Sequence, residues 1–420
     1  MLNMEKQGIL IGPFKQLVSM AELPLKGALK DSQLEVILEA GIWVEGELIK
    51  EVSDYDTLKH KLRNDVELIE LDGDFVALPG YIDCHTHIAF GGNRANDFAM
   101  RNAGSSYLEI AEAGGGIWST VKHTRACSQE ELKQLTVERA NYLLAQGITT
   151  VEVKSGYGLT VEEELKTLRA IADADHETKA DLLSTCLAAH MLPKDFEGSA
   201  EEYLQMIAKV LFPILKDEHL TTRVDAFVER SAFSAEQAKP YYEQAKALGF
   251  DLTVHADQFT TSGSKLAVEL SAVSADHLEA STEEEIQLLA ESDVVAVALP
   301  AASLGIGCAF TPARRLLDAG ASLAIATDWN PGSAPMGKLI SSASILASME
   351  KLSNAEVFAA ITFRAAQALN LSDRGRLVAG LLADFNIYQT DNYQNITYLQ
   401  GRLEPYAVWK RGQLASSNND

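Results

Sequence analysis

From residue 78 onward, short apolar runs alternate with amphipathic segments, the pattern of a strand followed by a helix repeated along the chain. Eight runs stand out: YIDCHTH, TTVEVKSGYG, STCLAAH, VDAFVER, LTVHADQ, AVSADHLE, VVAVALP and LAIATDW. The segments between them carry helix punctuation. Ser128 with Glu131, Thr160 with Glu163, Ser234 with Gln237 and Thr282 with Glu285 have capping-box spacing, and Thr311 precedes Pro312 at a first helical turn. Gly147, Gly249 and Gly320 fall where helices should stop, each just before a strand. Eight such units predict an α/β fold, a (β/α)8 TIM-like barrel over residues 78–369, with a doubly wound open sheet as the alternative. The polar residues favour the barrel. His85 and His87, Lys154, His190, Glu229, His255, His277 and Asp328 all fall at carboxyl ends of strands, where a barrel builds its site.

The flanks read differently. Residues 1–77 contain short strands with turns, as in LEVILEAGIWVEGELIKEV, and a charged helix around DYDTLKHKLRNDV. After residue 370 strands return in GRLVAGLLADFNIY and PYAVWKRGQL, before a polar tail, SSNND. Residues 1–77 and 370–420 together predict a small composite β-sandwich domain built from both termini. The connection after the first barrel strand, GGNRANDFAMRNAGSSYLEIAEAGGGIWSTV, is long enough for a lid or for short helices of its own. Its triple glycine at 114–116 lacks the Lys-Ser/Thr of a phosphate loop and reads as a hinge or tight turn.

Composition narrows the function classes. The 36 basic against 59 acidic residues leave a formal charge of −23, which repels nucleic acid and anionic membranes. A small anionic substrate remains compatible, given a local positive clamp or a helix N-terminus in a cleft. No apolar run is long enough to span a bilayer, and the start MLNMEKQGIL lacks the basic and apolar regions of a signal peptide, so a cytoplasmic protein is expected. Cys84, Cys127, Cys186 and Cys308 have no CxxC spacing and read as free thiols.

The stretch ALPGYIDCHTHIAFGGNR carries the chemistry. Side chains at i and i+2 of a strand share a face, so His85 and His87 point into one space and can share an ion, or simply end a buried strand. Asp83 has the same parity and is suited to orient an imidazole or a water, while Cys84 alternates to the other face. His255 and Asp328 complete a set of three imidazoles and a carboxylate on the first, fifth and eighth strands, which are close in a closed barrel. Such a set suits zinc or iron and leaves a position open for water. Asp328 is then suited to take the water's proton and deliver it to a leaving nitrogen.

Through PGYIDCHTH, FGGNRANDF, GGGI, TTVEVKSGYGL, LAAH, HADQ, SADHLE and TDWNPGS, residues 76–385 resemble the metal-dependent amidohydrolases and, among them, the imidazolonepropionase family of histidine degradation. HxH alone marks only the wider superfamily; KSGYGL, SADHLE and DxNPG mark the narrower family. What the resemblance implies is hydrolytic opening of 4-imidazolone-5-propanoate to N-formimino-L-glutamate on one divalent ion held by His85, His87, His255 and Asp328. It also implies that His277 polarises the ring carbonyl, that Arg94 clamps the propionate, and that Tyr107, Tyr157 and His190 contact substrate. Asn330, Gly332 and Ser333 are expected to cradle ring or carboxylate with backbone amides. A homodimer is expected on the resemblance alone. Lys154 lies on the second strand, not the fourth where two-metal amidohydrolases carry a carbamylated lysine, so one ion is expected.

Two features depart from the family. Many members carry glutamate where this chain has Gln258, and an amide cannot act as a base. Either Asp328 handles all proton transfer, or Gln258 serves by hydrogen-bonding a ring nitrogen. Strand parity instead favours Asp257 as the residue facing with His255. The segment LPAASLGIGCAFTPARRLLD differs from the family's aromatic-rich run, which leaves one pocket wall open. Plainer roles exist for several residues: His190 and His277 as core histidines, Tyr107 as a packed aromatic, Arg94 in a salt bridge with Asp97. The competing functions are another mononuclear amidohydrolase, such as a heterocycle deaminase or cyclic amidase, and a non-catalytic barrel scaffold.

Overall fold

A computed structural model of the chain describes residues 8–62 and 65–417. Readings that fall on 1–7, 63–64 and 418–420, at the amino terminus, the end of the charged helix and the polar tail, lie outside the described residues. The amino-terminal flank supplies β1 (Gly8–Val18), β2 (Val36–Glu45), β3 (Leu48–Asp54), β4 (Val66–Glu70) and β5 (Phe75–Pro79). The charged helix α1 (Tyr55–Lys61) follows β3 and is capped by Asp54, which accepts from Thr57 N.

The barrel strands are β6 (Tyr81–Asp83), β7 (Ile148–Lys154), β8 (Asp181–Ala189), β9 (Arg223–Val228), β10 (Asp251–Ala256), β11 (Ser274–His277), β12 (Val295–Ala298) and β13 (Leu323–Ile325). Each pairs in parallel with the next. Beyond β6 and β13 the chain closes the ring: Thr86 bridges Trp329, Asp328 N donates to His85 O at 3.0 Å, and His87 N donates to Trp329 O at 2.9 Å. Closure excludes the open sheet, and it sets the two histidines directly beside Asp328. Apolar residues of the strands pack in one large cluster with the surrounding helices and in a second around Ile82, Val295, Val297 and Ala324.

Capping follows the sequence signals. Ser128, Ser234 and Thr282 form reciprocal boxes and Thr160 accepts from Glu163 N. Two further boxes with the same spacing, Ser199 with Glu202 and Ser353 with Glu356, were not read from the sequence. Thr311 does more than precede a helix, because its hydroxyl donates to His277 O at 2.5 Å and steadies the end of β11. Gly147, Gly249 and Gly320 adopt positive φ, as helix-stop glycines do.

The carboxyl-terminal flank adds β14 (Phe385–Gln389), β15 (Ala407–Lys410) and β16 (Gln413–Ser417), whereas GRLVAGLL forms no strand. These join the amino-terminal strands in one mixed sheet of order β16-β15-β14-β5-β1-β2-β3, with β4 also pairing on β1. Phe14, Ile42, Phe75, Phe385 and Trp409 share its core. This sheet runs straight into the site, since only Gly80 separates β5 from β6. A Cβ at Gly80 would lie 2.5 Å from Thr149 Oγ1, so the short link depends on a missing side chain. Asp181 ties barrel to sheet from below, with Arg374 Nη1 at 2.5 Å, Lys410 Nζ at 2.8 Å and Arg411 Nη2 at 3.1 Å.

The long connection after β6 folds into α2 (Ala95–Asn102), α3 (Tyr107–Glu112) and α4 (Ile117–Ala126). Among the described residues, no helix is long and apolar enough to cross a membrane. All four cysteines are free.

Candidate active site

The carboxyl ends of β6, β10 and the segment after β13 converge on one point. Asp328 Oδ1 lies 3.5 Å from His85 Nε2 and 3.3 Å from His87 Nε2, and His87 Nε2 lies 3.4 Å from His255 Nε2. A tetrahedron whose corners sit about 2.0–2.1 Å from its centre, the range of Zn–N and Zn–O bonds, has edges of about 3.3–3.4 Å. His85, His87 and Asp328 therefore lie close enough to share a divalent metal ion, and His255 adjoins them through His87. His85 Nε2 is buried and has no hydrogen-bond partner among the described residues, an expensive state for a polar atom unless it binds an ion. His277 borders the same point, grouped with His85 and His255.

A layer of carboxylates beneath fixes the imidazoles. His85 Nδ1 lies 2.6 Å from Asp276 Oδ2, and His255 Nδ1 lies 2.7 Å from Asp225 Oδ2, so both rings turn Nε2 toward the centre. Burial pushes the pKa of His85 well down, helped by the nearby Lys154 ammonium, and burial pushes that of His255 down to about 4 despite Asp225. Both are neutral at neutral pH, as ligation requires. Lys154 does not enter the metal site. Its Nζ sits on Glu152 Oε1 at 2.8 Å and Asp225 Oδ2 at 3.0 Å, and against the cost of burial these carboxylates hold its pKa above the ordinary range. An ammonium held this way has no free amine to carbamylate.

Several parity arguments end at the strand tips. Asp83 does face inward, but its carboxylate accepts from Thr327 N and Thr327 Oγ1 at 2.9 and 2.6 Å, orienting the approach to Asp328 rather than an imidazole. Cys84 packs on the other side, among Ile82, Val295 and Val297. Asp257, His277 and Asp328 hold φ of 52°, 88° and 50°. Such left-handed residues break alternation, and they cluster where strain serves a site. Asp257 is accordingly turned away from His255, its carboxylate taking the Ser264 and Ser281 hydroxyls at 2.5 and 2.9 Å. Gln258 faces the cavity instead.

That cavity, about 460 Å³, opens above the metal ligands and is lined by His87, His255 and Asp328 together with Arg94, Tyr157, His190, Gln258 and His277. Asn330, Gly332 and Ser333 form part of its wall. The expected cradle of free backbone amides is not there, because Gly332 N and Ser333 N both donate to Asn330 Oδ1 at 2.8 Å. His190 donates through Nδ1 to Gly156 O at 3.0 Å and stacks on His87 at 5.5 Å. His277 Nδ1 lies 3.6 Å from Glu279 Oε1; burial opposes its protonation, but Glu279 together with Asp328 and Asp276 outweighs burial and holds the pKa above the ordinary value. Arg94 makes the salt bridge with Asp97 and lines the cavity as well. His85 lies below the cavity floor. Tyr107 begins α3, and its side chain lies outside the described residues.

The profile of the Amidohydrolase family matches residues 119–414. An imidazolonepropionase of Fusobacterium nucleatum is 39% identical over 388 residues, covering 92% of this chain and 94% of its own. One from Myxococcus xanthus is 42% identical over 352 residues, covering 83% of each chain. The chain belongs to the imidazolonepropionase family of amidohydrolases. Solved structures share its fold at lower identity. A zinc-bound adenosine deaminase from Xanthomonas campestris has a TM-score of 0.72 at 19% identity, covering 97% of this chain and 93% of its own. A zinc complex of the atrazine chlorohydrolase of Arthrobacter aurescens has a TM-score of 0.70 at 18% identity, covering 98% and 95%.

For an imidazolonepropionase, sequence reasoning passed over the carboxylates Glu152, Asp225 and Asp276. Their signal was available: each is an acidic residue inside a barrel strand, where only a buried partner makes charge tolerable. Arg101, Ile117, Phe227, Phe259 and Ile306 also line the cavity and carried no readable signal. Ile306, from the helix Pro300–Ile306, supplies the wall that the sequence left open.

Proposed function

We propose that this hydrolase opens the ring of 4-imidazolone-5-propanoate to N-formimino-L-glutamate, using one divalent ion, zinc or iron, held by His85, His87, His255 and Asp328. The observation that carries the reading is a metal-binding set on the floor of a cavity whose wall holds Arg94, in a chain of net charge −23. A carboxylate-bearing substrate needs such a cation. An uncharged heterocycle does not, which weighs against a deaminase, and the intact ligand set weighs against a scaffold.

The reaction breaks one C–N bond of a cyclic amide and adds water across it. When bound, the ion supplies Lewis-acid activation of water and of the ring carbonyl. Arg94 takes the propionate and fixes how the ring enters. His277 donates to the carbonyl oxygen as negative charge develops there, and the Glu279 carboxylate beside it favours the protonated imidazole. Asp328 accepts the proton of the attacking water and returns it to the ring nitrogen as the C–N bond breaks. Gln258 cannot serve as a base; its amide hydrogen-bonds a ring nitrogen and holds the ring in register. Tyr157, His190, Asn330, Gly332 and Ser333 shape the walls around the substrate, and Tyr107 is assigned to them by family likeness.

Residues 1–77 and 370–420 are proposed as one domain and 78–369 as the other; a cytoplasmic location is also proposed, and a homodimer is proposed on family likeness, which light scattering of the purified protein would check. The reaction is tested by giving the metal-quantified protein freshly generated 4-imidazolone-5-propanoate. Metal-dependent loss of the ring chromophore with appearance of formiminoglutamate is expected. Metal-replete protein with no turnover would redirect the search to other cyclic amides and aminated heterocycles.

A further inference from the structure

Binding of the propionate by Arg94 leaves two features without a use: a buried carboxylate on the next turn of α2, and the triple glycine beyond α3. Asp97 is 4% exposed, and its Oδ2 accepts from two donors, Arg94 Nε at 2.7 Å and Gly116 N at 2.8 Å. The carboxylate therefore engages the Nε edge of the guanidinium. Neither Nη1 nor Nη2 has a hydrogen-bond partner among the described residues. The glycines are shaped around this carboxylate. A Cβ at Gly115 would lie 2.4 Å from Asp97 Oδ1, and Gly114 and Gly116 hold φ of 87° and 80°. From the other side Gly332 closes on the guanidinium, where a Cβ would lie 2.2 Å from Arg94 Nη1. Gly332 is itself anchored across the cavity mouth by Arg101, whose Nη2 donates to its carbonyl at 3.3 Å.

We propose that Asp97 is a positioning residue for substrate recognition: cradled by the glycine turn 114–116, it locks the Arg94 guanidinium by its Nε edge and leaves both Nη groups to the substrate carboxylate. The turn is thus a cradle for one of the protein's own carboxylates. Two physical effects favour the arrangement. A guanidinium already held in its fork orientation loses less freedom when it clamps a carboxylate. A half-buried cation also needs a counter-charge while the cavity is without substrate, and one that occupies only the Nε edge does not block the clamp.

This inference rests on the assignment of Arg94, and the experiment separates the two. Steady-state constants for 4-imidazolone-5-propanoate are compared in Arg94→Ala, Asp97→Ala, Asp97→Asn, Gly115→Ala and the Arg94→Ala/Asp97→Ala double variant, all with quantified metal. Inhibition by imidazole-4-propionate and by its amide is measured alongside. Arg94→Ala should raise KM and abolish the preference for the acid over the amide. Asp97→Ala should raise KM about tenfold with kcat within about twofold, the range for a lost hydrogen bond to a charged group. Asp97→Asn should recover part of this, because its amide oxygen still accepts. Gly115→Ala, which leaves both charged groups in place, should shift KM the same way. In the Arg94→Ala background Asp97→Ala should add no further loss. Equal losses in both backgrounds, or lower kcat and thermal stability with the acid-over-amide preference intact, would overturn the positioning role while leaving Arg94 as the clamp. An unchanged KM in Arg94→Ala would overturn both.

Discussion

His85 Nδ1 and Asp276 Oδ2 lie 2.6 Å apart in the fully buried floor of the barrel, and this contact leaves Nε2 as the ring nitrogen for the proposed ion. Burial pushes the Asp276 carboxyl up to about 7, and in its ionised form it can only accept, so the Nδ1 proton stays and Nε2 keeps its lone pair. An asparagine can present an N–H there and favour the opposite tautomer. Asp276→Asn is expected to weaken metal binding about 10–100-fold. Competition against a chromophoric chelator measures it, and unchanged affinity would remove Asp276 from this role.

Lys154 holds that floor together electrostatically. It is buried and contacts Glu152 and Asp225, and Asp276 lies 3.9 Å away. Lys154→Met removes the only cation among them and leaves buried carboxylates facing one another. A loss of about 3–5 kcal/mol in unfolding free energy is expected, read from urea melts, along with reduced metal retention. A variant as stable as the parent would show that the carboxylates share protons and need no cation.

Asp328 combines two assigned tasks, one toward the ion and one toward the moving proton. Asp328→Asn keeps an oxygen but cannot accept a proton, while three imidazoles remain for the ion. Turnover should fall about 10²–10⁴-fold with metal still bound and KM little changed. Retained turnover would transfer the proton to another group, His277 being the nearest candidate.

Stability in acid should depend on Asp181. Burial alone would raise its pKa, but Lys410 and Arg374 outweigh burial and lower it. A carboxylate whose pKa is depressed in the folded state contributes stability that is fully present above its unfolded value of about 3.9 and is lost as pH falls through the folded value. Asp181→Asn should therefore lower Tm at neutral pH, with the gap to the parent closing below about pH 4. A gap that persists unchanged in acid would mean that packing, not charge, joins the barrel to the β-sheet.

The barrel was legible because its signals are local and repeated. Apolar runs of strand length, capping serines such as Ser128 and Ser234, and stop glycines such as Gly249 each need only a few neighbouring residues to be read. The convergence of His85, His87, His255 and Asp328, the proposed metal set, was legible for a topological reason: strand ends of a barrel share one face. Legibility failed where backbone conformation departs from the period. The positive φ of Asp257 turns its side chain to Ser264 and Ser281 and brings Gln258 round to the cavity, which alternation cannot foresee. It failed again where side chains compete for one donor. The amides of Gly332 and Ser333 looked free in NPGS, but Asn330 of the same turn already takes both. The pairing of Asp97 with Gly116 joins residues across an intervening helix, and nothing in local pattern links them.

A single functional ion at the four converging side chains is what the proposed reaction depends on. Its most direct measurement is titration of metal-free protein with zinc or ferrous ion while following hydrolysis of 4-imidazolone-5-propanoate. Activity should rise linearly and break at one equivalent per chain, and a His85→Ala/His87→Ala variant should gain none. A break at two equivalents, or full turnover in protein stripped of metal, would contradict the account.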